Sequence, residues 1–315
     1  MRVVVTGATG YLGLSVVAAL SAAGHEIVAL SRTSRSDWPP GVHGHTADLA
    51  DHESTGRALR GADAVCHLAA LMRVRSPLAV GDYYRTNVAG TVHLLDAMVA
   101  EHARTGHPMR MVFLSSAAVY GTGQERPLQE TDPATPTGVY GRTKLAAEHA
   151  VDSYARTGAL GAVTLRLFNA AGVTPEGKAP GSNALIPQVL DCAAYGRTLR
   201  VHGDGNAIRD FVHIADVVDA VSLALDAATP GTAQTYNIGA VPASVNEVID
   251  TAQQISGRSI TVDHQPAHTN EVTCSIADAR QAIKHLGWTP KHSSLEAMIS
   301  DHWQRVHAQH VAEGG

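Results

Sequence analysis

Tyr140 and Lys144 stand four residues apart, and no other tyrosine in the sequence has a lysine at that distance. On a helix this spacing puts both side chains on one face. A phenol with an ordinary pKa of about 10 is a poor base at neutral pH, and bringing it near 7 takes about 4 kcal/mol of added preference for phenolate. A neighbouring ammonium can supply part of that, so the pair reads as a proton-transfer centre. Ser115 and Ser116 close the apolar run that begins at Arg110. A hydroxyl at the carboxyl end of a strand can bind a substrate oxygen and relay a proton to a tyrosine, although serines there also cap turns. Ser116 is the stronger of the two, so the expected catalytic set is Ser116, Tyr140 and Lys144.

These groups need a scaffold and a reactant, and the start of the chain suggests both. A β-branched run at 3–5 breaks into a turn carrying Gly7, Gly10 and Gly13; apolar residues recur at helical spacing over 12–23, and a second strand-like run covers 26–30. In that context the first glycine permits a tight turn, the second lets backbone N–H groups approach a pyrophosphate, and the third lets the helix pack on the strand. The helix N-terminus adds unpaired N–H groups and its dipole. A nicotinamide dinucleotide held there would bring a second cation towards Tyr140.

Further strands are expected over 64–69, 110–115 and 162–168, alternating with helices near 54–59, over 82–103 and from Val139. Alternation of this kind gives an α/β fold with a doubly wound parallel sheet and right-handed crossovers. On the 82–103 helix, Val88, Val92, Leu95 and Val99 make one apolar stripe. The segment 32–45, with Pro39-Pro40, reads as a loop. Beyond Asn169 the chain is rich in Gly and Pro and its elements are short: helices over 186–195, 215–227 and 245–255, strands over 199–201 and 235–238. The expected organisation is a Rossmann-type dinucleotide-binding domain over 1–170, with returns near 205–240, and a smaller mixed α/β substrate lobe over 171–315.

Composition narrows the partners. A formal net charge of −5 and a pI near 6.4 leave no basic footprint for nucleic acid. No apolar run is long enough to span a bilayer, no signal-like segment precedes the first strand, and three widely separated cysteines fit reduced thiols. A cytoplasmic protein without nucleic-acid or membrane partners is expected. The 18 histidines show neither HExxH nor paired-cysteine spacing, so they read as surface residues and no metal is expected.

In order along the chain, TGATGYLG at 6–13, Asp48-Leu49, HLAA at 67–70, TNVAGT around Asn87, LSSAAVYG at 114–121, YGRTK at 140–144, RLFNAAG at 166–172 and RDFVHIADV at 209–217 resemble the extended short-chain dehydrogenase/reductases. The likeness covers almost the whole chain, and within that superfamily it is to nucleotide-sugar epimerases of the UDP-galactose 4-epimerase type. It implies that Gly7, Gly10 and Gly13, with Tyr11 and Leu12, hold the pyrophosphate, and that Asp48 and Leu49 meet the adenine. It further implies that Leu68, Ala69, Ala70, Asn87 and Ser115 line the cofactor, with Tyr140 and Lys144 at the nicotinamide ribose. Ser116 matches the catalytic Ser/Thr. Asn169 and Arg209 match residues that hold a sugar diphosphate, and Asn183, Leu185 and Glu271 complete the implied substrate contacts. A guanidinium fork suits phosphate oxygens, although an ion pair with Asp210 or Asp216 is the commoner use of such an arginine. Relatives that dehydrate or decarboxylate the sugar carry acids just after the Ser/Thr; here those places are Ala117 and Ala118, whose methyl groups move no proton.

Two places depart from the family. The second strand ends Ser31-Arg32 where NAD-using epimerases carry an aspartate, which turns the expectation for Arg32 towards NADP or relaxed specificity. A phosphate-binding pattern in the lobe reads His268-Thr269-Asn270-Glu271, with a histidine in place of arginine. The leading reading is a nucleotide-sugar epimerase, UDP-linked, with a tightly bound NAD or NADP. The rivals are an NADPH-dependent keto-sugar reductase and a non-catalytic cofactor sensor. The resemblance also implies a homodimer formed through the helices at 82–103 and 140–156.

Overall fold

The structure is a computed structural model that describes residues 1–72, 80–174, 177–267 and 272–314. The first half runs β1 (Arg2–Thr6), α1 (Tyr11–Ala22), β2 (Glu26–Ser31), β3 (Val42–Thr46), α2 (His52–Leu59), β4 (Ala64–His67), α3 (Val80–Tyr83), α4 (Gly90–Thr105), β5 (Met109–Ser116), α5 (Val139–Ala155) and β6 (Leu160–Leu167). Then come β7 (Asn169–Ala171), α6 (Leu185–Tyr195), β8 (Leu199–His202), β9 (Ile208–His213), α7 (Ile214–Ala227), β10 (Ala233–Ile238), β11 (Val241–Ser244), α8 (Val245–Ser256), β12 (Val262–Gln265), β13 (Cys274–Ser275) and α9 (Leu295–Gly314).

Seven parallel strands form the main sheet in the order β10-β6-β5-β4-β1-β2-β3. Side chains alternate across a strand, so Val3 and Val5 of β1 pack with α1 and α7 while Val4 packs with α2, α4 and α5. Burial on both faces is why the central strands are almost wholly apolar. The strand order reverses between β1 and β4, which is where an open parallel sheet offers its ligand crevice.

Two expectations change. The supposed loop 32–45 ends in a strand, β3, whose HGHT sequence is polar because it lies at the sheet edge with only β2 beside it. The helix expected over 82–103 is broken by a π-helical turn, Tyr84–Ala89, between α3 and α4. The wider turn shifts the face that meets the sheet, so Leu94, Leu95 and Met98 are buried while Val88, Val92 and Val99 are only half-buried.

In the C-terminal half, β9 pairs with β7, β11 and β13, and α6, α8 and α9 enclose a separate core around Leu190, Phe211 and Met298. Asp210 on β9 is buried, and its carboxylate accepts from Ala240, Val241 and Ala277 main-chain N–H groups at 2.6, 2.9 and 2.8 Å. Asp216 is likewise buried and accepts from Lys291 and His292 N–H and from the Ser293 hydroxyl. These two aspartates tie the connections of the lobe together. His302, expected at the surface, is instead buried on α9, where desolvation takes its imidazole down to about 4.

Candidate active site

Tyr140 lies in the first turn of α5, which begins after Gly138. A Cβ on Gly141 would come within 2.3 Å of the Ala118 carbonyl, so the glycine next to the tyrosine lets α5 press against the 3-10 turn Ala117–Tyr120. Ser116 ends β5 and caps that turn, accepting from Ala118 N–H at 3.2 Å. Its hydroxyl is near enough to the Tyr140 phenol to favour the phenolate. Lys144, one helical turn further on, is buried with its ammonium 4.2 Å from the centre of the Phe113 ring. The three expected catalytic residues are thus together at the carboxyl edge of the sheet.

The electrostatics of this cluster are set by burial. Desolvation pushes the Tyr140 phenol up to about 12, with the neighbouring Ser116 hydroxyl pulling the other way. It also takes the Lys144 ammonium down to about 7, opposed by Glu148. Bringing the phenol from there to neutrality therefore takes about 7 kcal/mol of preference for phenolate. A cation bound against the phenol, with Lys144 held charged, is the kind of partner that supplies it.

Two polar networks hold the cluster in place. Ser115 donates to Glu148 at 2.5 Å, and Glu148 takes the Arg166 guanidinium at 2.8 Å. Arg166 donates to the Tyr120 hydroxyl at 2.9 Å, which donates to Asn237 at 2.7 Å. The Ser115 hydroxyl, expected beside a cofactor, is therefore turned to α5, and its main chain is what it has left for a ligand. The second network starts at Thr6, which bonds His67 Nδ1 at 2.7 Å; His67 Nε2 bonds Thr91 at 2.8 Å, and Thr91 donates to the Asn87 carbonyl at 2.7 Å. Burial, then the Lys144 charge, takes His67 down to about 3, so the ring is neutral. Since Thr91 donates onward, Nε2 carries the proton and Nδ1 accepts from Thr6. Asn87 is buried too: its amide donates to Leu71 O and Thr143 Oγ1 at 2.9 and 3.0 Å and accepts from Leu71 N–H at 2.7 Å. Thr143 in turn donates to the Tyr140 carbonyl at 2.8 Å. Asn87, expected to line a cofactor, reaches the tyrosine's own helix. Thr6, His67, Thr91 and Thr143 lie within the motifs quoted above but carry no role in the sequence reading; the signal was a histidine and a threonine ending otherwise apolar strands.

The glycine turn is shaped for a close ligand. Gly7 has a φ of +68°, and a Cβ there would lie 2.9 Å from the Ala69 backbone; one on Gly13 would lie 2.1 Å from Gly7 O. The turn between β1 and α1 can therefore pack on the chain leaving β4 only without side chains, and the α1 N-terminus stays open to an anion. Leu12, Leu68, Ala69 and Ala70 are half-buried around it, Leu49 is buried and Asp48 is exposed. These residues fit a dinucleotide laid across the sheet from β2 to β5. Tyr11 donates its hydroxyl to Gly172 O at 2.8 Å, linking the turn to the lobe.

On the lobe side, exposed Asn169 donates to Asp210 O at 2.9 Å, and Arg209 donates to Ile208 O at 2.9 Å. Asn183 is exposed ahead of α6, and Leu185 is its half-buried first residue. His268, Thr269, Asn270 and Glu271 lie outside the described residues.

The sequence profile of the NAD dependent epimerase/dehydratase family matches residues 3–239. The chain belongs to this family. Over 326 residues it is 34% identical to a UDP-glucose 4-epimerase of Streptomyces lividans, covering 98% of this chain and 97% of that one. A UDP-glucose 4-epimerase of Corynebacterium glutamicum is 32% identical over 96% of this chain and 95% of its own. Among solved structures, a UDP-glucose-4-epimerase from Stenotrophomonas maltophila with bound NAD and formylated UDP-arabinopyranose superposes with a TM-score of 0.88, at 31% identity and with 99% of each chain covered. The family membership agrees with the resemblance read from the motifs, and the doubly wound parallel fold agrees with the expected one.

Proposed function

We propose that this protein is an NAD-dependent epimerase of a UDP-linked sugar, working by transient oxidation of the sugar. The observation that carries this is the clustering of Tyr140 and buried Lys144, one turn apart on α5, with Ser116 at the carboxyl end of β5. Relatives named as UDP-glucose 4-epimerases and a neighbour holding NAD with a UDP-sugar support it over the reductase reading.

When bound, the dinucleotide supplies the hydride acceptor and a positive ring near the phenol. Tyr140 takes the proton from the reacting sugar hydroxyl, with the Ser116 hydroxyl bridging the two oxygens. Lys144 holds the phenolate by its charge. After the oxidised sugar has presented its other face it would regain the hydride it gave up, and Tyr140 returns the proton, so the sugar is neither oxidised nor reduced overall. Ala117 and Ala118 leave no acid beside Ser116 to remove a second proton, which keeps the chemistry at epimerisation.

Gly7, Gly10 and Gly13 hold the pyrophosphate and Asp48 and Leu49 the adenosine in this reading, while Asn169, Asn183, Leu185, Arg209 and Glu271 hold the sugar nucleotide. Residues 1–170, with the return near 205–240, form the dinucleotide unit, and 171–315 the substrate lobe. The protein acts in the cytoplasm as a homodimer. Among the described residues no helix is long and apolar enough to cross a membrane. Half-buried Val88 of the π-helical turn, with Val92 and Val99 of α4, offers an apolar face to a second copy. Tyr140→Phe is expected to abolish turnover while the purified variant still binds dinucleotide and UDP-sugar by calorimetry; an active variant refutes the mechanism.

A further inference from the structure

The end of β2 carries a feature that epimerisation does not use. Ser31 is buried, and its hydroxyl donates back to Thr33 O at 2.6 Å, folding 31–33 into a tight turn. This turn sits beside the glycine loop, since Ala8 N–H bonds Leu30 O at 3.3 Å, and next to the Asp48 segment, since Ala47 N–H bonds Ser31 O at 3.0 Å. An adenosine ribose lying over the end of β2, as the doubly wound fold places it, meets 31–33.

Among the described residues the charges of this turn are unequally engaged. Arg35 is held: it forks onto Asp37 at 2.8 and 3.0 Å and lies 5.0 Å over the Trp38 ring. That ring is fixed against β3, where a Cβ on Gly44 would come within 2.7 Å of its indole nitrogen. The Asp37 carboxylate is thereby occupied, and its pKa is lowered chiefly by the Arg35 hydrogen bond. Arg32, by contrast, is exposed, and its guanidinium makes no hydrogen bond or ion pair among the described residues. No carboxylate stands at the end of β2 to accept from ribose hydroxyls; a cation does, among the hydroxyls of Thr33, Ser34 and Ser36.

We infer that Arg32 and the hydroxyls that follow it form a site for a 2′-phosphate, so that the protein takes NADP at least as readily as NAD. Guanidinium recognises phosphate through charge-assisted, forked hydrogen bonds, and no acid stands at the end of β2 itself to repel the added charge. The site changes which dinucleotide is held and leaves the Tyr140 chemistry untouched. It rests on the dinucleotide reading of the glycine turn but not on the sugar that is epimerised.

The test is calorimetric titration of the purified protein, freed of bound dinucleotide, with NAD and with NADP. The expected result is that NADP binds as tightly as NAD or tighter. Arg32→Asp should then weaken NADP by about tenfold or more while leaving NAD within a few-fold. Arg32→Ala should fall between the two. Steeper weakening of NADP than of NAD with added salt is expected of the wild type and should vanish in Arg32→Asp. Wild-type preference for NAD by a hundredfold, or an NADP-to-NAD ratio unchanged by Arg32→Asp, overturns the site while leaving the dinucleotide reading intact. Binding of neither dinucleotide overturns both.

Discussion

At the scale of residues, Tyr140 and Lys144 were legible because spacing alone puts them on one helix face, but their protonation was not. In isolation the two groups would be a phenol and an ammonium with ordinary affinities; burial drives the first up to about 12 and the second down to about 7. Both shifts favour the neutral forms, so the pocket by itself opposes the charges that proton abstraction needs. Lys144 therefore acts by electrostatics, and that gives its removal a pH signature. In Lys144→Met the phenol loses its permanent neighbour, and the phenolate fraction below its pKa falls about tenfold for each pH unit. Turnover of this variant should be depressed by about 100-fold or more at pH 7 and should climb steadily with pH through 9, whereas the wild type should flatten earlier. The measurement is initial rate against pH at saturating UDP-sugar. A variant with the wild-type profile at reduced height would show that Lys144 only shapes the site.

At the scale of elements, α5 and β5 have to be held to within a fraction of an ångström, and buried polar links do this. Glu148 and Arg166 are both buried, and the pair also takes up Ser115 and Tyr120. Breaking a buried pair leaves a charge without its partner and typically costs about 3–5 kcal/mol, more than replacing both members by apolar residues. Glu148→Leu should lower the unfolding free energy by about that much, and adding Arg166→Met should restore part of it; urea denaturation of the single and double variants gives the coupling. Equal or additive losses would mean that the ion pair is not what anchors α5. None of this was visible in the sequence, where Glu148 is one more acid on a helix and Arg166 interrupts an apolar strand. What the sequence did expose was periodicity: the apolar runs of β1, β4, β5 and β6 and the glycine spacing were enough for the sheet and its crevice. It failed where neighbours decide the outcome. The polar edge strand β3 has no apolar run of its own, and the π-helical turn at Tyr84–Ala89 turns α4 without any residue that marks it.

At the scale of the molecule, catalysis needs the lobe and the main sheet to close on one ligand, and the two are already joined at the glycine turn. Tyr11, in the first turn of α1, donates to Gly172 O at 2.8 Å across 161 residues of sequence, and the Lys178 ammonium donates to Thr9 O. Gly172 has a φ of +91° and lies so close to the His213 ring that a Cβ would come within 2.5 Å of it, while Arg305 of α9 holds Gly177 O at 2.8 Å. Gly172, Gly177 and Lys178 are thus anchored to β9 and α9 on one side and to the dinucleotide turn on the other. Because a dinucleotide on that turn would sit between these anchors, the Tyr11 hydrogen bond should slow its release. Burial keeps the phenol neutral at any working pH, so it is always a donor. Tyr11→Phe removes that one bond, a loss of about 1 kcal/mol, and should speed dinucleotide release by about fivefold. Stopped-flow displacement of the bound dinucleotide reads the rate, and thermal unfolding of the ligand-free variant separates the two possible origins. Faster release with an unchanged ligand-free melting temperature supports the anchor. An unchanged release rate, or a melting temperature lowered with no effect on release, would place the hydrogen bond in the general packing of the lobe instead.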